Sequence, residues 1–199
     1  MLPRDVQLVL AISVKKLFTS PKPYITFLII FAVLRIGVGG ANTYLEGHGQ
    51  TIQAVELFIF AHSSVFFQLI FILGLLLLLG DAPFLREGMS FRLIRTSRNK
   101  WLAGQMISCV VISAIYLIAI ELLFLILFFG RITFQNGWSD PIRLAAQVNM
   151  GGMVINIKAA VFITMGVLQT GSSYAMFGLT FLYNLLLYSF LSLVVISCN

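Results

Sequence analysis

The sequence predicts an all-α fold, a polytopic membrane bundle, on three observations. Apolar residues make up 59% of the 199 residues and charged residues only 10%. A soluble domain carries about 25% charged residues, so this chain has too little polar surface to coat a globule in water. Four runs approach or exceed the roughly 20 apolar residues that cross about 30 Å of hydrocarbon. The basic residues, finally, sit in a few short segments between those runs, which is the pattern of membrane topology.

Taken in chain order, residues 1–23 form an interfacial helix and linker, and residues 24–199 form the transmembrane domain. Val6, Leu8, Val9, Leu10, Ile12, Val14, Leu17 and Phe18 make an apolar stripe broken by Arg4, Asp5, Gln7, Lys15 and Lys16. That stretch is too short and too charged to span. It suits an amphipathic helix lying in the interface plane, with its lysines toward anionic lipid headgroups. Ser20-Pro21-Lys22-Pro23 ends it, because proline blocks helix continuation and restrains its predecessor.

The first span runs from Tyr24 to Ala41, the second from His62 to Leu79, and the third from Leu102 to Phe129. A weaker fourth candidate, Val154 to Leu168, carries Lys158 near its start, and the last span is Tyr174 to Ile196. This reading gives five spans. Residues 1–23 and 80–100 hold nine of the thirteen basic residues, so the positive-inside rule sets both in the cytoplasm. Residues 42–61 and 130–152 then face outward, the turn Gln169 to Ser173 faces inward, and Asn199 ends outside. The expected location is a cell membrane, multi-pass, with a cytoplasmic N-terminus.

The sequence excludes several chemistries. No Gly-rich loop ends in Gly-Lys-Ser/Thr, so nothing here cradles nucleotide phosphates. The His-Glu-x-x-His zinc pattern is absent, and the two histidines, His48 and His62, are isolated. His62 heads the second span and reads as an interfacial polar residue. Gly37-x-Gly39-Gly40 closes a span instead of linking strand to helix, which suits close helix packing or a bend and not a dinucleotide. The two cysteines, Cys109 and Cys198, cannot build a disulfide framework. The net charge of +6 would suggest nucleic acid in a soluble protein; here topology accounts for it, and no nucleic-acid partner is expected. No catalytic or metal site is assigned, and the chain reads as a non-enzyme.

Two ionisable residues lie inside apolar runs. Arg35 is the twelfth residue of the first span and Glu121 is well into the third. Both spans run outward, so both charges fall about two thirds of the way across. A charge there costs ~2.5–3.5 kcal/mol on insertion scales and usually finds a partner or water. Their matched depth suggests that they approach each other or line one polar cavity; the alternative is that Arg35 snorkels to the outer surface and Glu121 is separately hydrogen-bonded.

The segment between the second and third spans is the most informative. Asp81 can cap free backbone amides and Pro83 is tolerated in a first helical turn. Phe84, Leu85, Phe91, Leu93 and Ile94 alternate with Arg86, Arg92, Arg95 and Arg98. Apolar groups in a basic loop suit a short amphipathic helix that docks on another protein. Trp101 then marks the interface where the third span starts.

This order of features resembles the permease subunit of type-2 ABC exporters, with Val6 to Phe18, Tyr24 to Ala41 and Asp81 to Lys100 as the matching pieces. Leu93-Ile94-Arg95-Thr96-Ser97-Arg98-Asn99-Lys100-Trp101-Leu102-Ala103-Gly104-Gln105 is similar to the family's entry into its third span. Ile132-Thr133-Phe134-Gln135-Asn136-Gly137-Trp138 is similar to the loop that follows. The resemblance implies a coupling helix at Asp81, Pro83, Phe84, Phe91, Arg92, Arg95 and Arg98. It implies cytoplasmic ABC ATPase partners that bind ATP and Mg, with no cofactor on this chain, and a second permease subunit, identical or paralogous. The family has six spans with both termini in the cytoplasm, against the five read here. Two other functions fit the residues: a membrane anchor or accessory subunit that transports nothing, and a secondary transporter using Arg35 and Glu121 for ion coupling.

Overall fold

The computed structural model describes residues 7, 10–11, 14–15, 18–80, 98–135, 137–143 and 171–198. In chain order the elements are α1 (Lys22–His48), β1 (Ile52–Gln53), α2 (Glu56–Ser63), α3 (Val65–Leu79), α4 (Arg98–Leu127), β2 (Ile132–Thr133) and α5 (Ser173–Cys198). Helices α1, α4 and α5 are long and apolar enough to cross a membrane. Helices α2 and α3 make a fourth crossing only if they count as one span, because they meet at 90°. The described residues thus form a mostly helical molecule with three to four helices able to span a bilayer. The described residues between 7 and 19 are helical; the expected fourth span and residues 81–97 of the coupling segment lie outside the described residues.

Each boundary has a local cause. Helix α1 starts where Ser20 Oγ accepts the Lys22 amide at 3.3 Å, with Pro23 in its first turn, where proline lacks a donor that would go unused. It ends on Gly49, whose φ of 61° is the left-handed conformation, and Gln50 N–H closes the cap on Leu45 O at 3.0 Å. Gly130, at φ 84°, turns the chain in the same way just past α4. After these turns the chain enters β1 and β2, which pair in parallel with Ile52 opposite Ile132 and Gln53 opposite Thr133.

The expected second span, His62 to Leu79, is broken. Ser64 is extended at φ −83° and ψ 123°, which ends α2 and starts α3 on a new axis. The Ser63-Ser64 pair supports the break: Ser63 Oγ donates to Phe60 O at 2.8 Å, and serine pairs are a common cause of sharp kinks. Residues Glu56 to His62 are all buried, so α2 is a core element.

The chain divides into two compact units. One comprises Met1–Leu28, Ile72–Leu117 and Leu185–Asn199. Its core sets Phe27 tilted against Tyr116 at 5.9 Å and Tyr116 edge-on to Tyr188, also at 5.9 Å. Ser192 Oγ donates to Tyr188 O at 2.6 Å and lies 3.4 Å from Ser113 Oγ.

The other unit comprises Ile29–Phe71 and Ile118–Asn184. Phe58 is its centre, 4.1 Å from the His62 ring, 5.1 Å from Phe177 and 6.3 Å from Phe181. Gly37 lets α1 approach Phe67 so closely that a Cβ there would stand 2.5 Å from the ring. In lipid, where helices gain little from hiding apolar surface from one another, this kind of close packing supplies the attraction.

The chain passes between the units four times. Ser173 Oγ donates to Gln53 Oε1 at 2.6 Å and lies 3.2 Å from Gly137 O. Trp138 Nε1 donates to Gly171 O at 3.0 Å. The turn that was to face inward therefore meets the segments 42–61 and 130–152 that were to face outward. Helix α5 starts beside β1, and the expected outside position of Asn199 does not follow. The periodicity of single apolar runs cannot register such contacts, which join separate loops, Ser173 and Gln53 lying 120 positions apart.

Candidate functional site

Three polar regions stand out from the apolar bundle. The first is the base of the basic segment. Helix α3 ends at Leu79, and Gly80 follows against the carbonyls of Leu76 and Leu77. A Cβ on Gly80 would come within 3.9 Å of Lys22 Nζ. The first residue of α1 thus reaches the point where the basic segment departs, and its cation complements the negative end of α3. Helix α4 already begins at Arg98, three residues before Trp101, so the segment returns as helix. Arg98 is the one predicted coupling residue whose backbone is described. Asp81, Pro83, Phe84, Phe91, Arg92 and Arg95 lie outside the described residues.

The second region is the cluster around Glu56, which sequence reasoning missed. Glu56 has no accessible surface. Its Oε2 accepts the Gln53 amide at 3.0 Å and the Ser139 hydroxyl at 2.6 Å, while Oε1 accepts the Ser139 amide at 2.6 Å. Gln53 extends the cluster to Ser173, and Trp138 extends it to Gly171. One carboxylate thereby ties the start of α2 to the loop after β2, beside the start of α5. Nearby, Arg131 donates from Nη1 to both Asn42 O and Asn42 Oδ1, and its Nη2 lies 3.0 Å from Glu46 Oε1. These groups hold one another, so the cluster reads as a clasp. Among the described residues no group of three or more His, Cys, Asp or Glu side chains is placed to hold a metal ion.

The third region lies within the apolar helices. Gln68 Nε2 donates to Asn184 Oδ1 at 2.9 Å, linking α3 to α5, and Asn184 Nδ2 returns to Thr180 O at 2.8 Å. Arg35 and Glu121 behave differently. Arg35 is exposed on α1 beside exposed Ala32 and Ile36. Glu121 is half-buried on α4, and its Oε2 is buried with no hydrogen-bond partner. Among the described residues the two do not meet in an ion pair. His62 is 8% exposed, packed between Phe58 and Phe71, and its Nδ1 lies 3.0 Å from Phe58 O. The carbonyl can only accept, so Nδ1 carries the proton.

Sequence signals for the missed features were slight. Gln53 and Glu56 stand as isolated polar residues before an apolar run, which is compatible with any loop. Gln68 is a lone amide within a span, and Asn184 is another, with nothing local to pair them. No family model matches this chain, and no curated protein or solved structure matches it either.

Proposed function

We propose that the chain is the membrane-spanning subunit of an ATP-driven export complex of the type-2 ABC class, coupled through residues 80–100 to a separate cytoplasmic ATPase. One observation carries this reading. The sequence segments 1–23 and 80–100 hold nine of the thirteen basic residues. The positive-inside rule assigns such segments to the cytoplasm. The second of them is flanked by the end of α3 and the start of α4, so a push on it acts on two membrane helices at once. Its apolar residues suit a protein partner better than headgroups alone. The chain's own residues supply no phosphate-binding loop, so nucleotide hydrolysis belongs to the partner.

The test is affinity capture of the tagged chain from native membranes. An ATP-binding protein is expected to copurify, with ATPase activity that depends on co-expression. Arg92→Glu and Arg95→Glu are expected to release that protein while leaving the chain in the membrane. Capture of no nucleotide-binding protein, or capture indifferent to both substitutions, would overturn the reading in favour of an anchor.

A further inference from the structure

Arg35 and Glu121 call for an explanation because lipid does not tolerate lone charges. Both belong to the same compact unit. Arg35 stands among lipid-facing side chains, with Leu28 70% and Ile36 83% exposed on the same helix. Glu121, half-buried and with its Oε2 buried and unpartnered, borders the exposed stripe of Ile118, Leu122 and Ile126 on α4, so a side-chain rotation brings its carboxylate to that face. Among the described residues neither charge has an ionic partner.

Their depths match. Arg35 precedes Asn42 by seven residues, about 10 Å along α1. Glu121 precedes the end of α4 by six residues, about 9 Å. Asn42 and Arg131, just past that end, are hydrogen-bonded to each other at 3.0 Å. Measured from this common clasp, the cation and the anion lie at one level to within about a helical turn.

We infer that Arg35 of one copy of this chain pairs with Glu121 of a second copy, across an interface formed by the exposed faces of α1 and α4. The occupant follows from charge complementarity. A twofold axis along the bilayer normal leaves every depth unchanged, and it makes each contact occur twice. A surface offering one cation and one anion at equal depth is therefore complementary to itself. A partner of different sequence would be called for by a surface of one sign. The chain's other acidic residues are unsuited to the role. Glu46 and Glu56 are held by Arg131 and Ser139, and Asp5, Asp81, Glu87 and Asp140 lie outside the apolar runs. The pairing rests on the permease reading only in that such a subunit works as a pair.

The experiment co-expresses two differently tagged copies and reads their copurification in mild detergent. Wild-type copies are expected to capture each other. Arg35→Glu copies are expected to lose capture of one another by about tenfold or more, and Glu121→Arg copies likewise, since each then sets like charges opposite. Arg35→Glu co-expressed with Glu121→Arg is expected to restore wild-type capture, because both contacts in that mixed pair are again of opposite sign. The milder Arg35→Gln and Glu121→Gln, checked for unchanged elution and helical content, are expected to weaken capture without unfolding the chain. The inference is overturned if wild-type copies do not associate, if these variants associate as wild type does, or if the mixed pair is no better than its parents. A failed swap beside an intact ATPase complex would remove this pairing and leave the permease reading in place.

Discussion

Glu56 is a carboxylate with no contact with solvent, and three donors converge on it: the Gln53 amide, the Ser139 amide and the Ser139 hydroxyl. Burial penalises a carboxylate heavily unless such donors replace its water; here they offset that penalty in part, and burial still holds the carboxyl above the usual range. Glutamine in its place offers one acceptor oxygen and one donor nitrogen. Whichever way that amide turns, its NH2 faces a backbone N–H, that of Gln53 or that of Ser139. A buried donor left without an acceptor costs about 1–3 kcal/mol. For a chain of this size each kcal/mol corresponds to about 2–4 °C in melting temperature. Glu56→Gln is therefore expected to lower the melting temperature in detergent by several degrees, and an unchanged transition would show the carboxylate to be dispensable. The role of Glu56 was not legible in the sequence. Ser139 lies 83 residues away, and nothing near Glu56 marks it as a binding group instead of a loop acid.

At the scale of elements, the long helices were legible because hydrocarbon thickness imposes length and composition on them. The expected span Tyr24 to Ala41 lies within α1, Leu102 to Phe129 nearly coincides with α4, and Tyr174 to Ile196 lies within α5. The bend between α2 and α3 was hidden because residues 57–79 form a nearly continuous apolar run, broken by His62, Ser63, Ser64 and Gln68, with no charge or proline in it. The glycines of α1 were read as permitting close packing or a bend, and the structure separates them. A Cβ on Gly37 would meet Phe67, itself 2% exposed, at 2.5 Å; a Cβ on Gly39 would meet nothing within 4 Å. Gly37→Ala is expected to force α1 and α3 apart, with an overpacking cost of about 1–3 kcal/mol. Gly39→Ala is expected to be neutral or stabilising by up to about 1 kcal/mol, since alanine is the better helix former. Thermal denaturation of the two variants side by side checks the contrast. Equal behaviour would mean that α1 does not pack on Phe67.

At the scale of the whole molecule, the hydrogen bonds of Ser173 and Trp138 decide a question that hydropathy left open. Hydropathy counts candidate spans one at a time, and an error of one reverses every later loop. Contacts between distant loops restore the parity: residues 50–56, 137–139 and 171–173 meet in one cluster, so they share a side. Under the proposed orientation that side is external, and the segment after α3 and the end of α5 are cytoplasmic. In a background with Cys109 and Cys198 replaced, Thr51→Cys and Gly171→Cys are expected to react in intact cells with a thiol reagent that cannot cross the membrane; both positions are exposed. Ser197→Cys, also exposed, is expected to react only after permeabilisation. Three labels suffice because each has one permitted answer. Reaction of Gly171→Cys and Thr51→Cys from opposite sides would refute the shared cluster. Reaction of all three in the reverse sense would leave the cluster intact and invert the molecule, which would place the arginine-bearing segment outside and beyond the reach of any cytoplasmic ATPase.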